Sequence, residues 1–125
     1  MADWNMMASS SYQAANLLVQ KECDRSSISR AYYAAYSRAT HVLAARLIFP
    51  VGREGPAHAR LPELVESHLQ ILGGSRWQLS GYLQELRNLR VIADYRPSVG
   101  IDCAASRTAL NLMGQVFFLT KGALP

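Results

Sequence analysis

The sequence predicts an all-α protein, a five-helix up-and-down bundle. Three observations carry this. Apolar residues recur at helical spacing in five separate segments. No segment alternates apolar and polar residues between hairpin turns. The segments are long and most connections are short, which favours antiparallel neighbours. A chain of 125 residues, 50% hydrophobic and 18% charged, can bury a core without disulfides or metals and is not composed like a disordered chain. One domain is expected over residues 1–125, with its core at about 3–121.

The first helix is expected from about Asp3 to Glu22. Asp3 can cap it, and Trp4, Met7, Ala8, Ser11, Ala15, Leu18 and Val19 share one face. The second spans about Ser27 to Phe49, with Ile28, Ala31, Tyr32, Ala35, Ala39, Val42 and Leu43 as its apolar stripe. Its alanines admit a close neighbour, and Pro50 and Gly52 end it. The segment PVGREGPAHAR at 50–60 reads as an irregular, exposed loop. The third helix is short, about Leu61 to Leu72, with Pro62 in its first turn and Gly73-Gly74 closing it. The fourth runs from about Ser75 to Tyr95 with Leu79, Leu83, Leu86 and Ala93 inward, and Arg96-Pro97 stops it. After a connector at 96–101, Asp102 caps a fifth helix that reaches about Lys121, with Ala105, Thr108, Leu112, Val116 and Leu119 inward.

The formal net charge is +4, carried by eleven Arg and only two Lys. Arg is preferred where a planar fork grips phosphate or stacks on a ring, so an anionic partner such as RNA or a nucleotide is one reading. A coding bias toward Arg and Ala produces the same counts. Cys23 and Cys103 read as free thiols rather than a bridge, and no Cys/His pair has zinc-finger spacing. The N-terminus lacks a basic region followed by a long apolar run, and no stretch approaches a membrane span. A cytoplasmic protein with no metal, no cofactor and no membrane partner is expected.

Two features do not fit a purely structural bundle. Arg90 continues the spacing of Leu79, Leu83 and Leu86, so it occupies a core-facing slot where an unpaired guanidinium is costly. Asp94 lies one turn later and can pair with it. The pair is either structural or the edge of a polar groove that takes phosphate or a base. On the second helix, Arg30, Tyr33, Ser37 and His41 step by three, four and four residues into a polar stripe. Arg30 and Tyr33 combine a charge with a stacking ring, a pairing suited to nucleotides, or else are a surface charge and a boundary ring. His58 is a lone loop histidine, and His41 and His68 read as helix-surface residues.

Three strings together resemble the HEPN-domain family. SRAYYAAYSRATHVL at 29–43 is similar to that family's second helix. LRNLRVIADY at 86–95 resembles the R-x-x-x-D-Y ending of its small stand-alone members, with Arg90, Asp94 and Tyr95 in the matching places. AHARLPELVESHL at 57–69 places His58 where the family often has a histidine before its third helix. The resemblance covers residues 12–119. It implies a helical bundle that dimerises and works with RNA or nucleotides, in a toxin–antitoxin or other defence module, often beside a small nucleotidyltransferase. Many members are metal-independent ribonucleases with an R-x4-6-H motif. Arg87-Asn88 matches its opening, but Ile92, Ala93 and Asp94 stand where the histidine belongs. Counted from Arg90, those places are Tyr95, Arg96 and Pro97.

The leading expectation is therefore a HEPN-like homodimer that binds RNA or a nucleotide through Arg30, Tyr33, Arg87, Asn88, Arg90 and Tyr95. One alternative is an active ribonuclease in which Arg90 acts with His58 or Asp94 in place of the usual histidine. Another is a non-catalytic helical interaction module whose Arg90–Asp94 pair is only structural.

Overall fold

The computed structural model describes residues 3–46 and 55–124. Five α-helices form among them: α1 (Trp4–Gln20), α2 (Asp24–Ala45), α3 (Leu61–His68), α4 (Ser75–Tyr95) and α5 (Cys103–Thr120). Short 3-10 turns at His58–Arg60 and Gln70–Leu72 flank α3, and another at Lys121–Ala123 follows α5. The described residues contain no strand, so the expected all-α bundle is observed. None of these helices is long and apolar enough to cross a membrane. The expected end of the second helix at 47–49, with Pro50 and Gly52, lies outside the described residues.

The central element is α2. Small residues on every side let other helices close around it: Ser27, Ala31, Ala34, Ala35, Ser37, Ala39 and Thr40 are all buried. Contacts fix the directions of its neighbours. Ser27 Oγ donates to the Ala15 carbonyl at 3.0 Å, while Trp4 meets Tyr36 edge-on with ring centroids 6.0 Å apart, so α1 runs antiparallel to α2. Arg25 reaches Ala93 while Tyr33 meets Arg90, so α4 is antiparallel as well. Ser106 donates to Asp24 and Arg38 donates to Thr120, so α5 runs parallel to α2, and the strict up-and-down alternation expected from the sequence, which makes α2 and α4 parallel, does not hold. The helix α3 packs on α4, where Ser80 donates to Glu66. Between these elements lie the large buried side chains Ile28, Tyr32, Leu43, Leu61, Leu69, Leu79, Leu83, Leu86 and Met113.

The expected stripe of α4 is buried as read, and so is that of α2. Two faces differ. On α5 the buried residues are Ser106, Ala109, Leu112, Met113, Val116 and Thr120, while Thr108 is exposed. The helix is turned so that two hydroxyls enter the core, and both are satisfied there. Ser106 bonds Asp24 at 2.7 Å and the Cys103 carbonyl at 3.0 Å; Thr120 donates to the Val116 carbonyl at 2.8 Å and accepts from Arg38 at 2.9 Å. On α1 only Trp4, Ala8 and Ala15 are buried and Met7 is exposed, because the small Ala8 and Ala15 set the line of approach to α2. Boundaries also shift: α2 begins at Asp24 rather than Ser27, and the third segment breaks into α3 and a 3-10 turn after His68.

The expected caps form. Asp3 accepts from the Met6 N–H and Asp102 from the Ala105 N–H, both at 3.0 Å. The C-terminal end of α4 is satisfied differently. Its last carbonyls lack intrahelical donors and carry partial negative charge, and Pro97 has no N–H to offer. Arg25 of α2 supplies the donors. Its Nη1 reaches the carbonyls of Ile92 (3.2 Å), Ala93 (3.0 Å) and Arg96 (3.3 Å), and its Nη2 those of Pro97 (3.4 Å) and Val99. One guanidinium thus joins α2, the end of α4 and the connector to α5. Arg25→Met is expected to lower unfolding free energy by about 2 kcal/mol, the scale of lost charge-assisted hydrogen bonds. Arg25→Lys should recover only part, since an ammonium lacks the fork. Denaturant titration checks this, and an unchanged midpoint in Arg25→Met would contradict it.

Candidate functional site

Arg90 sits in the core-facing slot that its spacing implies, with its side chain 12% exposed. The cost of burying it is met by partners from two helices. Its Nε donates to Asp94 Oδ2 at 3.0 Å, and its Nη2 donates to Tyr33 Oη at 2.8 Å and Tyr95 Oη at 3.3 Å. The guanidinium carbon lies 5.7, 5.3 and 5.2 Å from the ring centroids of Tyr32, Tyr33 and Tyr95. Burial pulls the Arg90 pKa down, but Tyr33, Tyr95 and Asp94 together outweigh it and hold it above the ordinary value. Arg90 is therefore charged at any working pH. Among the described residues its Nη1 has no hydrogen-bond partner. Asp94 is fixed from its other side by Ser29 Oγ at 3.2 Å.

A second polar group adjoins the first. The Tyr32 hydroxyl is 2.6 Å from His58 Nδ1. The His58 ring also lies 4.5 Å from Tyr36 and 6.0 Å from Tyr33, centroid to centroid. Tyr36 donates to the Pro56 carbonyl at 2.5 Å. Gly55 adopts φ +68°, and a Cβ there would stand 2.6 Å from Tyr36 Oη and 3.0 Å from Trp4. Only glycine lets the chain pass this close and bring His58 onto α2. Burial pushes the Tyr32 phenol up, partly opposed by Arg90, so Tyr32 stays protonated. His58 is held below the usual histidine range, first by burial and then by Arg90 and Arg87.

The remaining expected residues lie around this centre. Arg30 is exposed and borders a cavity of about 440 Å³ together with Arg25, Ser26, Ser29, Tyr33 and Asp94. Arg87 is half-buried, and its Nε is buried without a partner. Asn88 is exposed and shares a second cavity of about 450 Å³ with Arg87, Val91, Ile92, Arg96 and Val99. The ring of Tyr95 is on the surface, with the residue 65% exposed. The polar stripe expected on α2 does not form one surface. Ser37 is buried, because α2 is enclosed all round, and His41 faces Asp3 and Arg38 away from Arg90. Only Arg30 and Tyr33 of that stripe border the cavity.

Sequence reasoning missed Ser29, Tyr32, Tyr36 and Arg25. The two tyrosines had a signal. Tyr32, Tyr33 and Tyr36 fall within one turn of a helix read as apolar, and each buried phenol needs a polar partner. Arg25 had none, because its acceptors are backbone carbonyls almost seventy residues away, the nearest pairing being with Ile92 at a separation of 67.

Chemically the arrangement offers a permanently charged fork, exposed and half-buried aromatic rings, further arginines and a neutral imidazole. Such a set suits phosphate, a stacked base and proton transfer. Among the described residues no group of three or more His, Cys, Asp or Glu side chains is placed to hold a metal ion. Compared with protein-family models, curated proteins and solved structures, the chain matches none.

The depressed pKa of His58 sets a pH dependence. Between its folded value and the unfolded value of about 6.5, the unfolded chain binds more protons, so stability rises with pH. The His58 contribution is present above about pH 6.5 and is lost as pH falls through the folded value. His41 is depressed in the same direction by burial and Arg38. Thermal melts from pH 7.5 to 5 should therefore show acid destabilisation that His58→Gln reduces and His41→Gln reduces independently. A His58→Gln protein with the full acid loss would contradict the placement of His58.

Proposed function

We propose that this is a HEPN-like protein that binds RNA or a nucleotide, gripping phosphate through Arg30 and Arg90. The observation that carries the reading is the state of Arg90. Its guanidinium, on a side chain 12% exposed, donates to three oxygens and has no partner on Nη1 among the described residues, and two of its partners, Tyr33 and Asp94, line a cavity that Arg30 also borders. Arg30 and Arg90 attract and orient phosphate, Tyr33 and Tyr95 offer rings to a base, and Asp94 fixes Arg90. Arg87 and Asn88 extend the basic surface. The resemblance of segments 29–43, 57–69 and 86–95 supplies the rest of the proposal: a cytoplasmic homodimer within a toxin–antitoxin or defence module, with a small nucleotidyltransferase as partner.

Anisotropy of a labelled single-stranded RNA 12-mer, competed with AMP, tests the reading. Affinity should fall with salt, by a log–log slope of about 0.7 per phosphate engaged. Arg30→Glu should weaken binding about tenfold while leaving the melting temperature in place, since an exposed charge contributes little to stability. Absence of binding to RNA and nucleotide, or binding indifferent to salt and to Arg30→Glu, would overturn it.

A specific observation also favours RNA cleavage as a second reading: His58, neutral near pH 7, sits beside Tyr32 and is flanked by Arg87 and Arg90. With its proton on Nδ1 and donated to Tyr32, Nε2 can take the proton of a 2′-hydroxyl. The 2′-oxygen then bonds to the adjacent phosphorus, the 5′-oxygen leaves and takes a proton from solvent, and Arg90 balances the charge on the phosphoryl oxygens. Asp94 is committed to Arg90 and Ser29, which makes His58 the better-placed base. RNA incubated in EDTA should yield 2′,3′-cyclic phosphate ends, lost in His58→Ala and Arg90→Ala. Intact RNA sinks this reading without touching the binding proposal.

A further inference from the structure

Two cavities flank the last turns of α4. The first is bordered by Ser29, Arg30, Tyr33 and Asp94; the second is bordered by Arg87, Asn88, Arg96 and Val99. Their walls meet on consecutive residues of one helix, since Ile92 lines the second and Ala93 lines the first. At about 440 and 450 Å³, each has the size of a small-ligand pocket rather than of an extended groove. Among the described residues, and apart from Asp94, which Arg90 neutralises, no carboxylate lines either one. Arg25 lies between them, but its donors are spent on the carbonyls of residues 92–99. Its role is to hold the ridge, while Arg30 on one side and Arg96 on the other are exposed, and Arg87, half-buried, lines the second cavity beside Arg96.

Tyr95 belongs to the same ridge. On α4 it follows Val91 by one turn, and Val91 lines the second cavity; its hydroxyl accepts from Arg90, which also bonds Tyr33 and Asp94 of the first cavity's wall. The ring is exposed and fixed at its far end. We infer that a single-stranded oligonucleotide crosses the end of α4, with one phosphate at Arg30, another at Arg87 and Arg96, and a base stacked on Tyr95 between them. This rests on the phosphate-binding reading above and deepens it: the ligand is a strand rather than a mononucleotide. A helix with its side chains is about 10 Å across, and successive nucleotides advance about 3.4 Å or more, so the crossing takes about three nucleotides.

The test is a length series on the full chain. AMP and 5′-phosphorylated oligoadenylates of two to six nucleotides compete against a labelled RNA 12-mer. The expected result is a rise in affinity of at least tenfold between AMP and the trinucleotide, and little beyond about four. Arg96→Ala should flatten that rise and cost the trinucleotide about fivefold. Tyr95→Ala should cost it about tenfold, as loss of one stacking platform does, and Tyr95→Phe should bind like the parent. Circular dichroism melts verify that each variant is folded. AMP binding as tightly as the trinucleotide, or a length dependence untouched by Arg96→Ala, overturns the strand inference and leaves phosphate binding standing. Failure of every competitor and of the 12-mer overturns both.

Discussion

The structure around the site depends on one constraint: a guanidinium placed where a leucine would otherwise pack. The spacing of α4 turns Arg90 toward α2, and its Nε and Nη2 donors find partners there and on its own helix. Asp94 comes from the same helix, one turn on, where helical geometry delivers it without further ordering. Tyr33 comes from α2, Tyr95 from the end of α4, and Ser29 secures Asp94. These contacts tie the N-terminal half of α2 to the C-terminal half of α4. Arg25 does the same one turn further along, through backbone carbonyls instead of side chains. Two arginines thus join α2 to α4.

The second consequence concerns His58. A tyrosine ladder on α2, made of Tyr32, Tyr33 and Tyr36, turns an otherwise apolar helix face into a row of aligned phenols. That row holds the chain at 55–58 through Tyr36 on Pro56 and Tyr32 on His58. Gly55 permits the approach. Burial, and then the positive field of Arg90 and Arg87, holds the imidazole below the usual histidine range. A residue far from Arg90 in sequence thereby becomes part of its surroundings.

Much of this was legible beforehand. The long-period patterns of α2 and α4 predicted which residues face inward, because Leu and Ala at strict spacing leave one solution. Arg90 stood out for the same reason: it breaks a pattern that is otherwise complete. Asp3 and Asp102 announced their helices, since a carboxylate before an apolar period satisfies free N–H groups. What failed was what periodicity cannot weigh. The rotation of α5 follows from Ser106 and Thr120 finding partners on α2 and within their own helix, which only tertiary contact reveals. Ser37 was read as surface because serine is polar, yet a small side chain is what a helix surrounded on all sides requires. The bond from Arg25 to the end of α4 has no local signature.

Arg90 is charged and its side chain is 12% exposed, and one substitution decides whether it serves a ligand or the fold. Arg90→Met separates the two, because methionine fills much of the volume while removing the charge. Removing one partner of an ion pair is costly where the other is left buried and unpaired, but Asp94, 27% exposed, can return to water and Ser29. Parallel urea titration and RNA 12-mer binding of Arg90→Met should show an unfolding free energy within about 1 kcal/mol of the parent and affinity reduced at least tenfold. A loss of about 3–5 kcal/mol with RNA affinity unchanged would contradict the account and make the pair structural.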